Sequence, residues 1–389
     1  MSVGIDDISF YTSGYYLDLR TLAEHQGIDP NKYYDGIGQE KMAMAAHDED
    51  IVTLAANAAL PIVERIGQDA ISTVLFATET GIDQSKAAGV YVHRLLNLGS
   101  NCRVVELKQA CYSATAAVQM ACALVARQPD KRVLVIASDV ARYDLGSPGE
   151  ATQGCGAVAM LISSNPRVLE IDPEVGNHTE DVMDFWRPNY RKTALVDGKY
   201  STKIYLTSLK RSWENFCHES RVRFNDIAYF CYHLPFGKMA QKAHSQLARV
   251  NKTGQTPDEL AAQVEPTLLY NRLIGNSYTA SMYIGLCSLL ENVKEDLSGQ
   301  RIGLFSYGSG SVSEFFTGRV APGYQSALNT RHHQALLADR VALTYDEYLN
   351  LYHGPDPQDG GVHTIEPDTK GRFRLSAISA HKREYIEQP

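Results

Sequence analysis

Apolar and polar positions along this chain follow two alternating rhythms. Short runs rich in β-branched residues predict strands at Ile71–Thr78, Arg103–Leu107, Arg132–Ser138 and Ala157–Ser163. Longer stretches with helical periodicity predict helices over Asp50–Gly67, Ser85–Leu98 and Cys111–Arg127. The break Gln128-Pro129-Asp130 ends the third helix and turns the chain into the next strand. Strands and helices alternating in this way predict an α/β fold.

The second half repeats this order loosely. Strand Ile227–Tyr232 ends at His233, and a helix follows from about Lys238 to Val250. Another helix is expected from about Asn276 to Val293. Strand Ile302–Phe305, the turn Tyr307-Gly308-Ser309-Gly310 and strand Val312–Gly318 come next. Three features line up between the halves. Glu79 and His233 each end a strand, and Cys111 and Asn276 each open a small-residue helix. Gly154-Cys155-Gly156 and Gly308-Ser309-Gly310 each precede a strand. Letter-by-letter identity is weak, so the repeat is topological. It predicts a pseudo-twofold axis that gathers Glu79, Cys111, His233 and Asn276 at one centre. Two regions are expected outside the repeat. Asn177–Arg223 reads as an insertion or cap near a site. Ala321–Pro389 carries two short helices, a flexible loop over Gly354–Gly361 and a last strand, Arg372–Ile378.

Composition narrows the class. With 389 residues, 44% hydrophobic and 21% charged, the chain can bury one large core or two packed halves. A formal charge of −8 argues against a general nucleic-acid or anionic-membrane binder. It leaves room for a local basic pocket that takes a phosphorylated ligand. The seven cysteines are dispersed with no C-x-x-C pair, as expected of reduced thiols in a cytoplasmic protein. The twelve histidines lack metal-type spacing, so no metal site is expected. The first residues read as a strand rather than a signal peptide, and no apolar run approaches the ~20 residues that span a bilayer.

The stretch around Cys111 is where chemistry is most legible. A cysteine at a helix N-terminus faces unpaired N–H groups and the positive end of the dipole, both of which favour thiolate. The following helix has Ala at six positions, so most of its surface can be buried. A reactive thiol on a buried helix suits an acyl-transferring nucleophile. A plain core cysteine fits the same stretch equally well.

A set of motifs in sequence order decides between these readings. They are Ala77-Thr78-Glu79, Ala110-Cys111-Tyr112, Asp184-Phe185-Trp186-Arg187-Pro188 and Val196-Asp197-Gly198, then His233-Leu234-Pro235-Phe236-Gly237-Lys238, Gly275-Asn276-Ser277-Tyr278-Thr279 and Phe305-Ser306-Tyr307-Gly308-Ser309-Gly310. Together they closely resemble the 3-hydroxy-3-methylglutaryl-CoA synthase family in its shorter bacterial form, over essentially the whole chain. The resemblance implies a thiolase-like fold, with duplicated α/β halves in αβαβα layers. The expected division is an N-terminal half, 1–165, holding nucleophile and base, and a C-terminal half, 166–389, with the cap and a C-terminal extension.

The resemblance also implies an acyltransferase of the mevalonate pathway, leading to isoprenoids. It condenses acetyl-CoA with acetoacetyl-CoA and water, needs no cofactor and works as a homodimer. Cys111 would carry the acetyl group as a thioester. Glu79 would remove a methyl proton, helped by desolvation that strengthens the base. His233 would hydrogen-bond the ketone under attack. Asn276 matches a residue that polarises the acetoacetyl group, and its side chain could also cap a helix. Asp139, Tyr143 and Asp184 match residues that orient base, water or substrate. Thr152, Ser201 and Ser309 match positions lining the substrate channel. Lys238 and Lys242 would meet CoA phosphates at its mouth, and Asp29 and Pro30 would touch its nucleotide end. The glycine turns lack G-K-[ST] and are expected to pack closely near the thiol.

Departures from the family pattern fall at Gln109, Ala151 and Cys155, the last a thiol that labelling could confuse with the nucleophile. Three other readings compete. A ketoacyl-ACP synthase III-like enzyme would not need Glu79, whereas a β-branching synthase would take acyl groups from carrier proteins. The third is a noncatalytic acyl-CoA-binding scaffold.

Overall fold

In the computed structural model, which describes residues 2–388, the strands predicted from both halves join one nine-stranded sheet. In chain order these strands are β1 (Val3–Tyr11), β2 (Thr73–Ala77), β3 (Arg103–Leu107), β4 (Val133–Ala141), β5 (Gly154–Ser164), β6 (Leu169–Thr179), β7 (Tyr229–Tyr232), β8 (Arg301–Gly308) and β9 (Val312–Val320). Across the sheet the order is β7-β8-β9-β6-β1-β5-β4-β2-β3. β1 and β6 meet antiparallel through Gly4–Ile5 and Leu169–Glu170. Outward from that seam the pairings match on both sides. β1–β5 and β5–β4 are antiparallel and β4–β2 is parallel. On the other side β6–β9 and β9–β8 are antiparallel and β8–β7 is parallel. The topological repeat is therefore real, and its pseudo-twofold passes through the β1–β6 seam.

Helices complete five layers. The elements are α1 (Ile51–Ile66), α2 (Ala88–Leu95), α3 (Ser113–Arg127), α4 (Gly198–Ser220), α5 (Gly237–Asn251) and α6 (Ser281–Asn292). α1 opens with a capping box in which Asp50 accepts from Thr53 and Thr53 accepts from the Asp50 backbone. It packs on β1, β4 and β5. α4 occupies the equivalent place on β6 and β9. α3 and α6 form the middle layer, tied by a hydrogen bond of 2.9 Å between Thr115 Oγ1 and the Tyr283 hydroxyl. β2, β4 and β5 are buried along most of their length, which explains their unbroken apolar runs. This is the thiolase-like arrangement.

Three local expectations change. Residues 177–223 are not an insertion, because most of them form β6 and α4, the counterparts of β1 and α1. α4 buries Ile204, Tyr205, Leu209, Trp213 and Phe216 against the sheet. Its pattern was hidden by Lys, Arg and Glu on the solvent face. Only residues 180–197 run as a loop with two short strands across the site. Next, α3 begins at Ser113, two residues after Cys111, which lies in a turn where the Tyr112 nitrogen donates to the Gln109 carbonyl at 3.1 Å and Ala110 adopts a positive φ of 45°. One face of α3 stays open, with Met120 51% exposed. Finally, α6 begins at Ser281 behind a 3₁₀ turn over Tyr278–Ala280, not at Asn276.

The C-terminal region supplies the two expected short helices, Thr330–Ala338 and Tyr345–Tyr352, and a three-stranded sheet. The predicted last strand, Phe373–Ser379 in the structure, pairs with a further strand, Lys382–Glu387. Arg374 reaches the buried Asp48 at 3.0 Å and fastens this sheet to the N-terminal half.

If α4 is a core layer, Leu209→Ala should lower unfolding free energy by roughly 2–5 kcal/mol, the usual cost of such a truncation. Urea denaturation followed by circular dichroism measures this. A cap bearing no core load would give a change within about 0.5 kcal/mol.

Candidate active site

The pseudo-twofold brings the expected residues together by reciprocal backbone contact. Gly308 lies against the turn that carries Cys111, where a Cβ would stand 2.4 Å from the Gln109 carbonyl and 2.8 Å from the Tyr112 nitrogen. Gly154 makes the mirror contact, where a Cβ would stand 2.5 Å from the Ile274 carbonyl and 2.8 Å from that of Asn276. Only glycine permits either approach, so each half's glycine turn seats the other half's helix entrance.

Cys111 Sγ donates to Glu79 Oε1 at 3.3 Å. Glu79 follows the end of β2, and burial raises its carboxyl to about 8, with the charge of Asp139 adding to the rise. Arg187 and the thiol hydrogen bond pull the other way. Cys111 departs from expectation. Its thiol is held well above the ordinary value by burial first, then by Glu79 and Asp139. The nucleophile therefore rests as a thiol. With α3 starting only at Ser113, the dipole does not outweigh two carboxylates and desolvation. The next residue is fixed in turn, since the Tyr112 hydroxyl donates to the buried Glu314 at 2.7 Å.

Asp139 stands behind Glu79 with no exposed surface. One carboxylate oxygen accepts from the Thr78 hydroxyl at 2.8 Å, the Glu79 and Thr80 backbone nitrogens at 2.9 Å each, and the Thr80 hydroxyl at 2.6 Å. The other accepts from the Thr279 nitrogen at 3.1 Å and from the Thr279 hydroxyl. Burial pushes this carboxyl up, and the hydroxyl and amide donors restrain the rise. Both its oxygens are engaged by protein donors, and these hold the segment that carries Glu79.

His233 follows β7 directly and is 5% exposed. Burial lowers its imidazole to about 3, so the ring is neutral near pH 7. The Ser281 hydroxyl accepts from the Leu234 nitrogen at 3.2 Å and stands 3.0 Å from His233 Nδ1. Asn276 Oδ1 accepts from the Tyr278 nitrogen at 2.8 Å, a turn contact two residues on, and its amide nitrogen remains available. Asn276 is not the cap of a helix: Ser277 precedes the 3₁₀ turn and Ala280 precedes α6.

Asp184 is a second buried hub. It accepts from Ser201 at 3.0 Å, the Tyr307 hydroxyl at 2.7 Å and the Gly310 nitrogen at 3.0 Å. Tyr143 packs with Phe185, Tyr278 and Cys111 in one apolar cluster. The Thr152 hydroxyl donates to the Gly149 carbonyl at 2.7 Å, and its own carbonyl accepts from the Asn276 nitrogen at 3.2 Å. The Ser309 carbonyl accepts from Gln109 Nε2 at 3.3 Å, so Gln109 braces the nucleophile turn. Lys238, half-buried, and Lys242, exposed, open α5. The Lys238 nitrogen donates to the Ile37 carbonyl at 3.0 Å, which sets the loop after Asp29 and Pro30 beside these lysines. Cys155 is fully buried, so it does not compete for labels.

Several residues had no role in the sequence reading. Arg187 faces Glu79, Thr279 anchors Asp139, Ser281 holds the His233 ring through Nδ1, and the Tyr205 hydroxyl donates to the His233 carbonyl at 2.8 Å. Arg187 and Thr279 lay within motifs already singled out. Nothing local marks Ser281 or Tyr205. Among the described residues no group of three or more His, Cys, Asp or Glu side chains is placed to hold a metal ion.

Sequence comparison agrees with this geometry. A family profile described as hydroxymethylglutaryl-coenzyme A synthase N terminal matches residues 1–167, and its C-terminal counterpart matches 169–255 and 249–353. The chain belongs to the hydroxymethylglutaryl-CoA synthase family. It is 43% identical to the hydroxymethylglutaryl-CoA synthase of Enterococcus faecalis, over 99% of this chain and 100% of the relative. It is 34% identical to the polyketide-biosynthesis 3-hydroxy-3-methylglutaryl-ACP synthase of Bacillus subtilis, over 99% of each. A solved HMG-CoA synthase complexed with CoA superposes with a TM-score of 0.95 at 42% identity, covering 100% of both chains.

Because Glu79 raises the Cys111 thiol, Glu79→Gln should shift the pH profile of Cys111 alkylation downward. Iodoacetamide rates measured from roughly pH 6 to 10, a span about the ordinary thiol value, with peptide mass readout, test this. An unchanged profile would remove the proposed coupling, and modification of Cys155 in folded protein would contradict its burial.

Proposed function

We propose that this chain joins acetyl-CoA to acetoacetyl-CoA and water, giving 3-hydroxy-3-methylglutaryl-CoA and CoA. The observation that carries this reading is the 3.3 Å contact between Cys111 Sγ and Glu79 Oε1. It unites a nucleophile with a base whose pKa lies near the working pH.

In the first step the Cys111 proton passes to Glu79 as sulfur attacks the acetyl carbon, and the departing CoA sulfur takes that proton. Glu79, again ionised, removes a methyl proton from acetyl-Cys111. The resulting carbon attacks the ketone of acetoacetyl-CoA, whose oxygen is polarised by neutral His233 and by the Asn276 amide, and the alkoxide that forms takes the proton held on Glu79, which leaves Glu79 ionised. Water then cleaves the Cys111 thioester. Asp139 and Asp184 hold the two loops that carry the base and the channel wall, and Tyr143 shields the acyl group. Thr152, Ser201 and Ser309 line the channel. Lys238 and Lys242, with Asp29 and Pro30 beside them, bind the phosphate and nucleotide end of CoA. The CoA thioesters are substrates, and no other cofactor takes part in this scheme.

The chain is divided near residue 165 into halves that supply nucleophile with base and ketone site respectively. A homodimer is supported by an unpaired sheet edge at β3, where Val105 is 43% exposed, near the open face of α3. We assign the protein to the cytoplasm and to the mevalonate route. No helix among the described residues is long and apolar enough to cross a membrane.

The carrier-protein reading is separated by substrate. Incubation with acetyl-CoA should add one acetyl group to the Cys111 peptide, and acetoacetyl-CoA should then give steady release of CoA. No acetylation of folded enzyme by acetyl-CoA, together with acetylation from acetyl-loaded carrier protein, would favour the β-branching synthase. Glu79→Ala should still acquire the acetyl group on Cys111, more slowly than the parent protein, yet lose at least about 10²-fold in condensation, the usual scale for a general base.

The pH dependence follows from the raised carboxyl. Below about 8 Glu79 is increasingly protonated, so condensation should fall toward tenfold per pH unit and plateau above it. A rate flat from pH 6 to 9 (a window of roughly three units around the group) would refute Glu79 as the base.

A further inference from the structure

Glu79 has a second face. A cavity of about 870 Å³ opens on it, walled by Gly81, Gln84, Glu106, Lys108 and Arg187 as well as by Glu79 itself. None of the residues assigned above to the acyl-CoA channel lines this cavity: Lys238, Lys242, Thr152, Ser201, Asn276 and Ser309 are all absent from its wall. Glu79 therefore stands as a partition, with the Cys111 thiol on one side and a polar, solvent-open space on the other. The lining is strongly polar and the volume holds many waters, each taking about 30 Å³.

The scheme above creates a need for such a space. After condensation the acyl group is bound at both ends, as a thioester to Cys111 and as a thioester to CoA. The CoA end then occupies the channel by which substrates arrived. The water that frees Cys111 must come from elsewhere. We infer that the cavity behind Glu79 is the water entrance of the site, delivering the water that hydrolyses the acyl-Cys111 thioester while CoA-bound product fills the other side. This rests on the condensation proposed above.

The step balances without redox change. Glu79 takes a proton from water as its oxygen bonds to the thioester carbon. The carbon–sulfur bond breaks, and Sγ receives the proton from Glu79. The products are a carboxylic acid, which ionises, and the Cys111 thiol. Arg187 shares the cavity wall with Glu79, and its charge favours the ionised carboxylate that takes the proton.

Filling the cavity tests the idea. At Gly81 a Cβ would meet only Glu106 Oε1, at 3.3 Å, so Gly81→Leu can enter the cavity by displacing a flexible side-chain end. Ala87→Leu fills it from another wall residue. Both variants should acetylate Cys111 from acetyl-CoA at a rate within twofold of the parent protein. Steady-state turnover should fall about tenfold, and acid-quenched enzyme should carry the condensed acyl group, seen as its larger mass on the Cys111 peptide. Turnover unchanged in both folded variants would overturn the proposal. So would slow turnover with only acetyl-enzyme accumulating, since that places the defect before hydrolysis. Failure of the parent protein to acetylate at all would instead refute the underlying condensation.

Discussion

The site depends on one buried carboxylate. Asp139, on β4, accepts from Thr78, Glu79 and Thr80 in its own half and from Thr279 in the other. Its charge helps raise Glu79 and Cys111, and its oxygens fix the loop from which Glu79 projects. Hydrogen bonds to a charged acceptor are among the stronger polar contacts in proteins, at about 1.5–3 kcal/mol each. A single side chain thus sets both where the base sits and how strongly it holds a proton. That coupling lets geometry and basicity be tuned together.

Around this hub the duplicated topology acts as scaffold. The β1–β6 seam allows equivalent strand ends to face a common centre, so Glu79 and His233 arrive from β2 and β7 without long loops. The crossed contacts of Gly154 and Gly308 keep the nucleophile turn and the Asn276 turn at fixed spacing. Each half is incomplete as a catalyst, and the polar ties between them, Asp139–Thr279 and Thr115–Tyr283, lie close to the chemistry.

Much of this was legible in the chain. Strands such as Thr73–Ala77 and Gly154–Ser164 are legible because buried strands are written as apolar runs, and the edge strand Arg103–Leu107 is legible from its β-branched residues between turns. The positions of Glu79, Cys111 and His233 showed because strand ends and helix starts are locally encoded. What escaped was set by tertiary contact. α4 was taken for a cap because its buried face is interrupted by Lys, Arg and Glu on the exposed face. The helix after Cys111 begins two residues later than its small-residue run predicts, since nothing in the composition marks the turn through Gln109–Ser113. The protonation of Cys111 was misjudged for the same reason. The dipole argument used only neighbours in sequence, whereas Glu79 and Asp139 are neighbours only in space.

That protonation has a wider meaning for the lifetime of the enzyme. Peroxide and related oxidants attack thiolates, and sulfenic acid formation climbs with thiolate fraction and access. A nucleophile kept as a thiol by its burial, with two flanking carboxyl groups adding to the effect, offers oxidants little to react with while the enzyme waits for substrate. The thiol gives up its proton only as sulfur attacks the acyl donor. The buried surroundings of Cys111 therefore serve as a safeguard for the resting state, separating readiness for acyl transfer from exposure to oxidative damage.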